Sequence, residues 1–204
     1  DVGTSVSSYS NAIAIGYDVN TAADNVARIG NVNTVSIGGQ VGWTNFSDGR
    51  FKRQVREDVA GLDFISRLRP VTYQWDVHAL SDFIPGTADS ADWDSKYDIE
   101  QIRFSGFIAQ EVEEAARLTG YEFSGVDKPQ NEFTPYGLRY GEFVVPIVKA
   151  VQEQQALIEQ QQAELDRQQA LITRQQSELD RLRLLEAQLA KVAAALNSAG
   201  ISLE

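Results

Sequence analysis

The sequence predicts an α+β protein in three parts, and three patterns carry that expectation: a short repeated phrase, a stretch of mixed helical and strand periodicity, and a heptad repeat. The boundaries follow the changes of pattern. A β-stack or β-roll is expected over 1–46, a small α+β unit over 47–140 and a long coiled-coil helix over 141–204.

The first pattern runs from Asn11 to Gly38, where "NAIAIG" at Asn11 returns as "NVARIG" at Asn25 and "NTVSIG" at Asn33. In each, an asparagine is followed four residues later by Ile-Gly, which reads as a strand closed by a glycine turn. A repeat this short buries one or two apolar side chains, so it should stack on its neighbours as a solenoid or on identical chains. Ordinary antiparallel hairpins are the alternative.

In the middle region, "GLDFISRLRPVTYQW" places Leu62, Ile65 and Leu68 on one helical face; Pro70 then stops the helix, and Val71, Tyr73 and Trp75 favour a strand. "FSGFIAQEVEEAARLTG" reads as a strand through Phe104 and Phe107, then an amphipathic helix carrying Ile108, Val112, Ala115 and Ala116 and ended by Gly120. The acidic, turn-rich stretch between them, Ala79 to Asp98, reads as a solvated surface excursion without the spacing of a calcium loop.

From Glu142 onward the apolar residues fall into heptads. Position a holds Val144, Val151, Ile158, Leu165, Ile172 and Leu179; position d holds Ile147, then Gln154, Gln161, Gln168 and Gln175, then Leu182, Leu189 and Leu196. Polar residues in such a seam fix register or oligomer state at a cost in burial. The helix needs a partner, either its own copies or another element.

Composition narrows the partners. With 29 acidic and 18 basic residues the formal charge is −11, which repels phosphate backbones and anionic lipid, so neither nucleic acid nor a membrane surface is expected as a partner. There is no cysteine for a disulfide or a thiolate metal site, and neither a cofactor nor a metal is expected. The chain starts at Asp1 and contains no methionine, so it reads as a mature or trimmed fragment.

The candidate chemistry lies in "TNFSDGRFKR", Thr44 to Arg53. Ser47 and Lys52 would stand about 140° apart on a helix and on opposite faces of a strand. The Asp48-Gly49 turn signal between them is what could fold the Lys52 amine back toward the Ser47 hydroxyl. A serine and a lysine form a nucleophile and base when the amine is neutral, a state that burial and neighbouring cations favour; Arg50 and Arg53 flank Lys52.

Two resemblances attach to these residues. The Asn-to-Gly phrases resemble the head repeats of trimeric autotransporter adhesins, which implies a trimeric β-stack or β-roll at the N-terminus. "SDGRFK", followed in order by "LDFISRLRPVTYQW", "GFIAQEVEE" and "YGLRYGEFVVPIVKAVQEQQ", resembles the self-cleaving intramolecular chaperone domain of endosialidase tailspikes and other phage tail fibres, from about Ser47 to Gln155. The resemblance implies Ser47 as nucleophile, Lys52 as general base and Phe46-Ser47 as the scissile bond, with Asp48 and Arg50 supporting the turn. It also implies a homotrimer that folds an upstream fibre domain of the same chain and then releases itself. The setting would be a virion tail fibre or a bacterial cell surface, and the fibre's receptor a cell-surface glycan.

Other residues read more plainly. His78 is the only histidine and reads as a surface or capping residue. Glu111, Glu113 and Glu114 read as the wet face of a helix. Gln110 and Glu111 match the family phrase without an implied role. Trp43, Trp75 and Trp93 could stack on sugars, but core or interface packing is the expected place of Trp43 and Trp75.

Overall fold

A computed structural model describes residues 9–84 and 93–198. The chain divides into two units, Asp1–Val151 and Gln152–Glu204. The architecture is α+β, built among the described residues from three two-stranded sheets, short helices and one long helix.

Strands β1 (Ile13–Ile15) and β2 (Ala27–Ile29) pair in parallel, with Ile13 opposite Ala27 and Ile15 opposite Ile29. Parallel neighbours need a dozen or so connecting residues rather than a tight turn, so these two phrases form no hairpin. An offset of 14 residues organises the contacts around them. The Asn11 Nδ2 donates to Asn25 Oδ1 at 2.9 Å, and the Ser10 N–H to Asp24 Oδ1 at 2.7 Å. Asn11 and Asn25 take φ values of 52° and 57°, a left-handed conformation that asparagine tolerates better than most residues. The expected third strand does not form, and residues 33–38 are irregular. Asn33 follows Asn25 by eight residues, against the 14 that separate Asn25 from Asn11, so the chain is too short to complete another parallel step.

The rest of the first unit is organised by a small aromatic core. Phe64, Val112, Ala115, Ala116 and Phe143 are buried together, with Tyr121, Phe123, Leu138 and Ile65 packed against them. Helix α1 is a single turn, Leu62–Ile65, and Phe64 rather than Leu62 is its fully buried residue. Ile65 and Leu68 of the expected face do pack against this core, but they and Leu62 are only partly buried. Phe64 is claimed by rings distant in the chain, at 5.4 Å from Tyr121 and 5.0 Å from Phe123.

Strand β3 (Val71–Tyr73) pairs antiparallel with β4 (Phe104–Gly106), Val71 opposite Gly106. Trp75 lies beyond the end of β3 and meets Tyr73 edge to face at 5.4 Å. The Phe107 N–H donates to Tyr140 Oη at 3.1 Å, which places the tyrosine against the β4 backbone. A Cβ at Gly106 would run into that hydroxyl and come within 3.2 Å of the Tyr73 ring. Gly106→Ala is therefore expected to destabilise the unit by about 1–3 kcal/mol, read as a lower urea midpoint; an unchanged midpoint would show that Tyr140 swings aside freely.

Helix α3 spans Ala109–Thr119 and buries Val112, Ala115 and Ala116 as the sequence pattern predicts, whereas Ile108, expected on the same face, is the N-cap and stays exposed. It ends at Gly120, φ 65°, where the Gly120 N–H and the Tyr121 N–H satisfy the last carbonyls. The acidic excursion is more structured than expected. It begins in helix α2 (Val77–Phe83) and ends in a 3-10 turn at Asp98–Gln101, and Lys96 and Ile99 are buried. The 85–92 part of that excursion lies outside the described residues. A two-residue ladder pairs β5 (Val126–Asp127) with β6 (Gly137–Leu138), after which helix α4 runs over 55 residues, Val144–Ser198. No helix among the described residues is long and apolar enough to cross a membrane.

Candidate functional site

The Asp48-Gly49 signal folds as a 3-10 turn over Gly49–Phe51. Asp48 caps it: its Oδ1 accepts from the Arg50 N–H at 2.9 Å, and the Phe51 N–H donates to the Asp48 carbonyl at 3.1 Å. The Arg50 guanidinium returns to the same carboxylate, Nε to Oδ2 at 2.9 Å and Nη2 to Oδ2 at 2.6 Å. That side-chain pair, with the Arg50 N–H second, holds the Asp48 carboxyl below the usual carboxylate range. Asp48 and Arg50 thus brace the turn, each through the other.

The turn reverses the chain, and the Lys52 Nζ donates to Ser47 Oγ at 2.7 Å. Two residues that regular structure would separate are brought into hydrogen-bond contact by three residues of 3-10 geometry. Here the amine is the donor; work as a base requires the neutral amine to accept the hydroxyl proton. Of the two cations flanking Lys52, Arg50 has its charge engaged by Asp48, which weakens the cationic environment that the sequence offered. Burial is not supplied by the chain itself, since every residue from 35 to 58 is exposed.

The exposure is chemically informative because the exposed residues are apolar. Val41, Trp43, Phe46, Phe51 and Val55 each keep at least 79% of their surface in solvent. Trp43 therefore packs into no core of its own chain. A cluster of large apolar side chains flanking a polar contact marks a surface built to be covered.

Other sequence candidates find structural duties. Glu111 takes both ends of the Arg69 guanidinium, Nε to Oε2 at 3.1 Å and Nη2 to Oε1, which ties the segment after α1 to the first turn of α3. This gives Glu111 a role that its place in the sequence phrase did not reveal, because Arg69 is 42 residues away. Glu113 pairs with Lys128 and accepts from Tyr136 Oη at 2.9 Å, while Glu114 pairs with Arg117. Asp76, His78 and Glu100 bring ligand-type atoms within 4.8 Å of one another. Each is already used: Asp76 Oδ1 accepts from the Ala79 N–H, Glu100 Oε1 accepts from the Val77 N–H and contacts His78 Nδ1, and His78 stacks on Tyr97 at 4.1 Å. Asp76 is the N-cap of α2, and His78, in the first turn of that helix, is an exposed surface residue.

The small α+β unit thus opens on a serine–lysine turn, and a heptad-patterned helix follows in the same chain. Residues 47–121 match the model of the family described as chaperone of endosialidase, a family that bears a peptidase name, and this segment is identified as a chaperone domain of that kind. The match begins at Ser47 and takes in β3, β4 and α3; the later phrase leading into α4 lies beyond it. No curated protein and no solved structure matches the chain.

Proposed function

We propose that this chain is an intramolecular chaperone that trimerises and folds an upstream fibre domain and releases itself by a single autoproteolytic turnover at Phe46-Ser47. The observation that carries the reading is the 2.7 Å contact between Lys52 Nζ and Ser47 Oγ at the first residue of the matched segment. Ser47 Oγ attacks the carbonyl carbon of Phe46, and Lys52 takes the hydroxyl proton and returns it to the departing Ser47 nitrogen. The peptide C–N bond breaks as the C–O ester bond forms, and water then hydrolyses the ester to leave a Phe46 carboxylate. Asp48 and Arg50 hold the turn. Copies of the chain cover the apolar residues around the dyad and supply the desolvation a neutral amine needs, so that cutting follows assembly.

On this reading the upstream fibre is a β-stack built from short coils, and its assembly requires this order of events. Three identical chains must be registered before their contacts stabilise one another, and a trimerising helix raises local concentration and fixes that register. Cutting then separates unfolding from refolding and leaves the fibre kinetically stable. On this reading the fibre belongs to a phage tail or a bacterial surface and meets a cell-surface glycan through its upstream part.

The exposure of residues 35–58 favours one other reading, a permanent structural trimeriser or adhesin tip whose dyad is idle. Intact-mass analysis of the purified protein and of Ser47→Ala separates the two. A fragment beginning at Ser47 is expected from the first and only full-length chain from the second. A full-length native chain after long incubation, with the trimer intact, would establish the structural reading instead.

A further inference from the structure

Val19, Thr21, Ala22 and Ala23 are buried, Thr21 at 2% and Ala23 at 3% exposure, although β1 and β2 on either side are largely open to solvent. This connecting coil meets two segments from much later in the sequence. Asn131 Nδ2 donates to the Ala22 carbonyl at 2.8 Å across a separation of 109 residues, and the Tyr17 ring meets Trp93 edge to face at 6.0 Å.

Both later groups are held in place before they touch the coil. Asn131 Oδ1 accepts from the Phe133 N–H at 2.9 Å, which fixes the amide so that its nitrogen faces Ala22. Buried Thr134 closes the same loop, its Oγ1 accepting from the Gln130 N–H at 2.7 Å. Trp93 rests on buried Lys96, whose Nζ lies 4.8 Å from its ring centre, and Lys96 also faces Tyr97 at 5.5 Å. On the coil side, Ala22 is held at φ 54°, a left-handed conformation that is unfavourable for an alanine and persists only where its surroundings impose it. Asn20 Oδ1 accepts the Ala22 N–H at 3.0 Å and Asn131 takes its carbonyl, so the strained peptide is gripped from both sides.

The geometry points to a docking surface on the chaperone side, built on Trp93 and Asn131, that clasps the coil Tyr17–Ala23 and keeps holding it after the chain is cut between Phe46 and Ser47. The occupant is a segment of this chain, and the linker that joins the two sides is exposed throughout 35–46 and takes no part in the grip. Severing the linker removes the covalent tether and leaves both contacts standing. Release of the finished fibre is then a second step, opening of the clasp. The consequence for release rests on the proposed autoproteolysis; the clasp itself does not.

The test is made in the full chain carrying Ser47→Ala, so that self-cleavage plays no part, with a site-specific protease sequence inserted between Gly39 and Gln40. After cutting, the two fragments are expected to co-elute on a native sizing column. Asn131→Asp keeps the acceptor for the Phe133 N–H, and thus the loop, but loses the donor to Ala22; it should speed separation by about tenfold. Trp93→Ala should do the same, and Trp93→Phe should restore most of the retention. Immediate separation of the fragments without these substitutions would overturn the clasp, and so would co-elution unchanged by both Asn131→Asp and Trp93→Ala. A failure of self-cleavage shows only in the intact-mass comparison and leaves this result untouched.

Discussion

Phe64→Ala is expected to destabilise the unit Asp1–Val151 by about 3–5 kcal/mol. Phe64 is 0% exposed and is the point on which three parts of the fold converge: the buried face of α3 through Val112, Ala115 and Ala116, the rings of Tyr121 and Phe123, and Phe143 just before α4. Truncation removes the transfer energy of the ring and leaves a cavity. Little can fill it, because the two alanines facing it end at Cβ and the aromatic rings are locked against one another, Phe123 on Phe143 at 4.8 Å and Phe107 on Phe143 at 5.3 Å. Since whole domains are stable by only about 5–15 kcal/mol, the loss approaches that of the fold. Near-ultraviolet circular dichroism through a urea titration measures it without interference from the long helix. Leu118→Ala, at a position of the same helix α3 that is 55% exposed, should shift the midpoint little. Equal losses in the two variants would show that the core is not where the packing places it.

The legible parts of the fold are those whose cause is local. The α3 face shows in the spacing of Val112, Ala115 and Ala116, and its end shows in Gly120, because periodicity and a left-handed cap are properties of neighbouring residues. The serine–lysine turn is of the same kind: Asp48-Gly49 is a turn signal, and Asp48 and Arg50 close it within two residues. What stayed hidden depends on partners far away in the chain. Phe64 looked no more central than Leu62 until Tyr121, Phe123 and Phe143 surrounded it. Glu111 had no role until Arg69 reached it across 42 residues, and Asn131 carried no signal at all for Ala22. The third phrase, at Asn33, failed in the opposite way: its composition matches a strand, but a connection of a few residues cannot carry a parallel crossover.

Replacing Ile158, Leu165 and Ile172 together by aspartate is expected to abolish the proposed trimer and, with it, the proposed cleavage at Phe46-Ser47. All three occupy successive a positions of α4 and are about half exposed or more in the single chain, with Leu179 and Leu182 continuing the stripe. A 55-residue helix is about 80 Å long, and among the described residues these a positions stay exposed. The four glutamines at d, Gln154 to Gln175, add no apolar burial between these layers, so the a positions carry the seam through its middle. An aspartate there must be desolvated beside its own copies, at a cost of several kcal/mol per charge, and three such layers exceed what the remaining leucines return. Sedimentation velocity should show a monomer for this variant and, on the proposed function, a trimer for the unaltered chain. The second readout couples the two units: Ser47 and Lys52 are intact in this variant, and their 2.7 Å contact needs only the turn. If copies of the chain supply the cover that residues 35–58 lack, the monomer keeps the contact and loses the chemistry, and no fragment starting at Ser47 forms. A monomer that still cuts itself would mean that the turn alone activates Lys52, and cleavage would then report nothing about assembly.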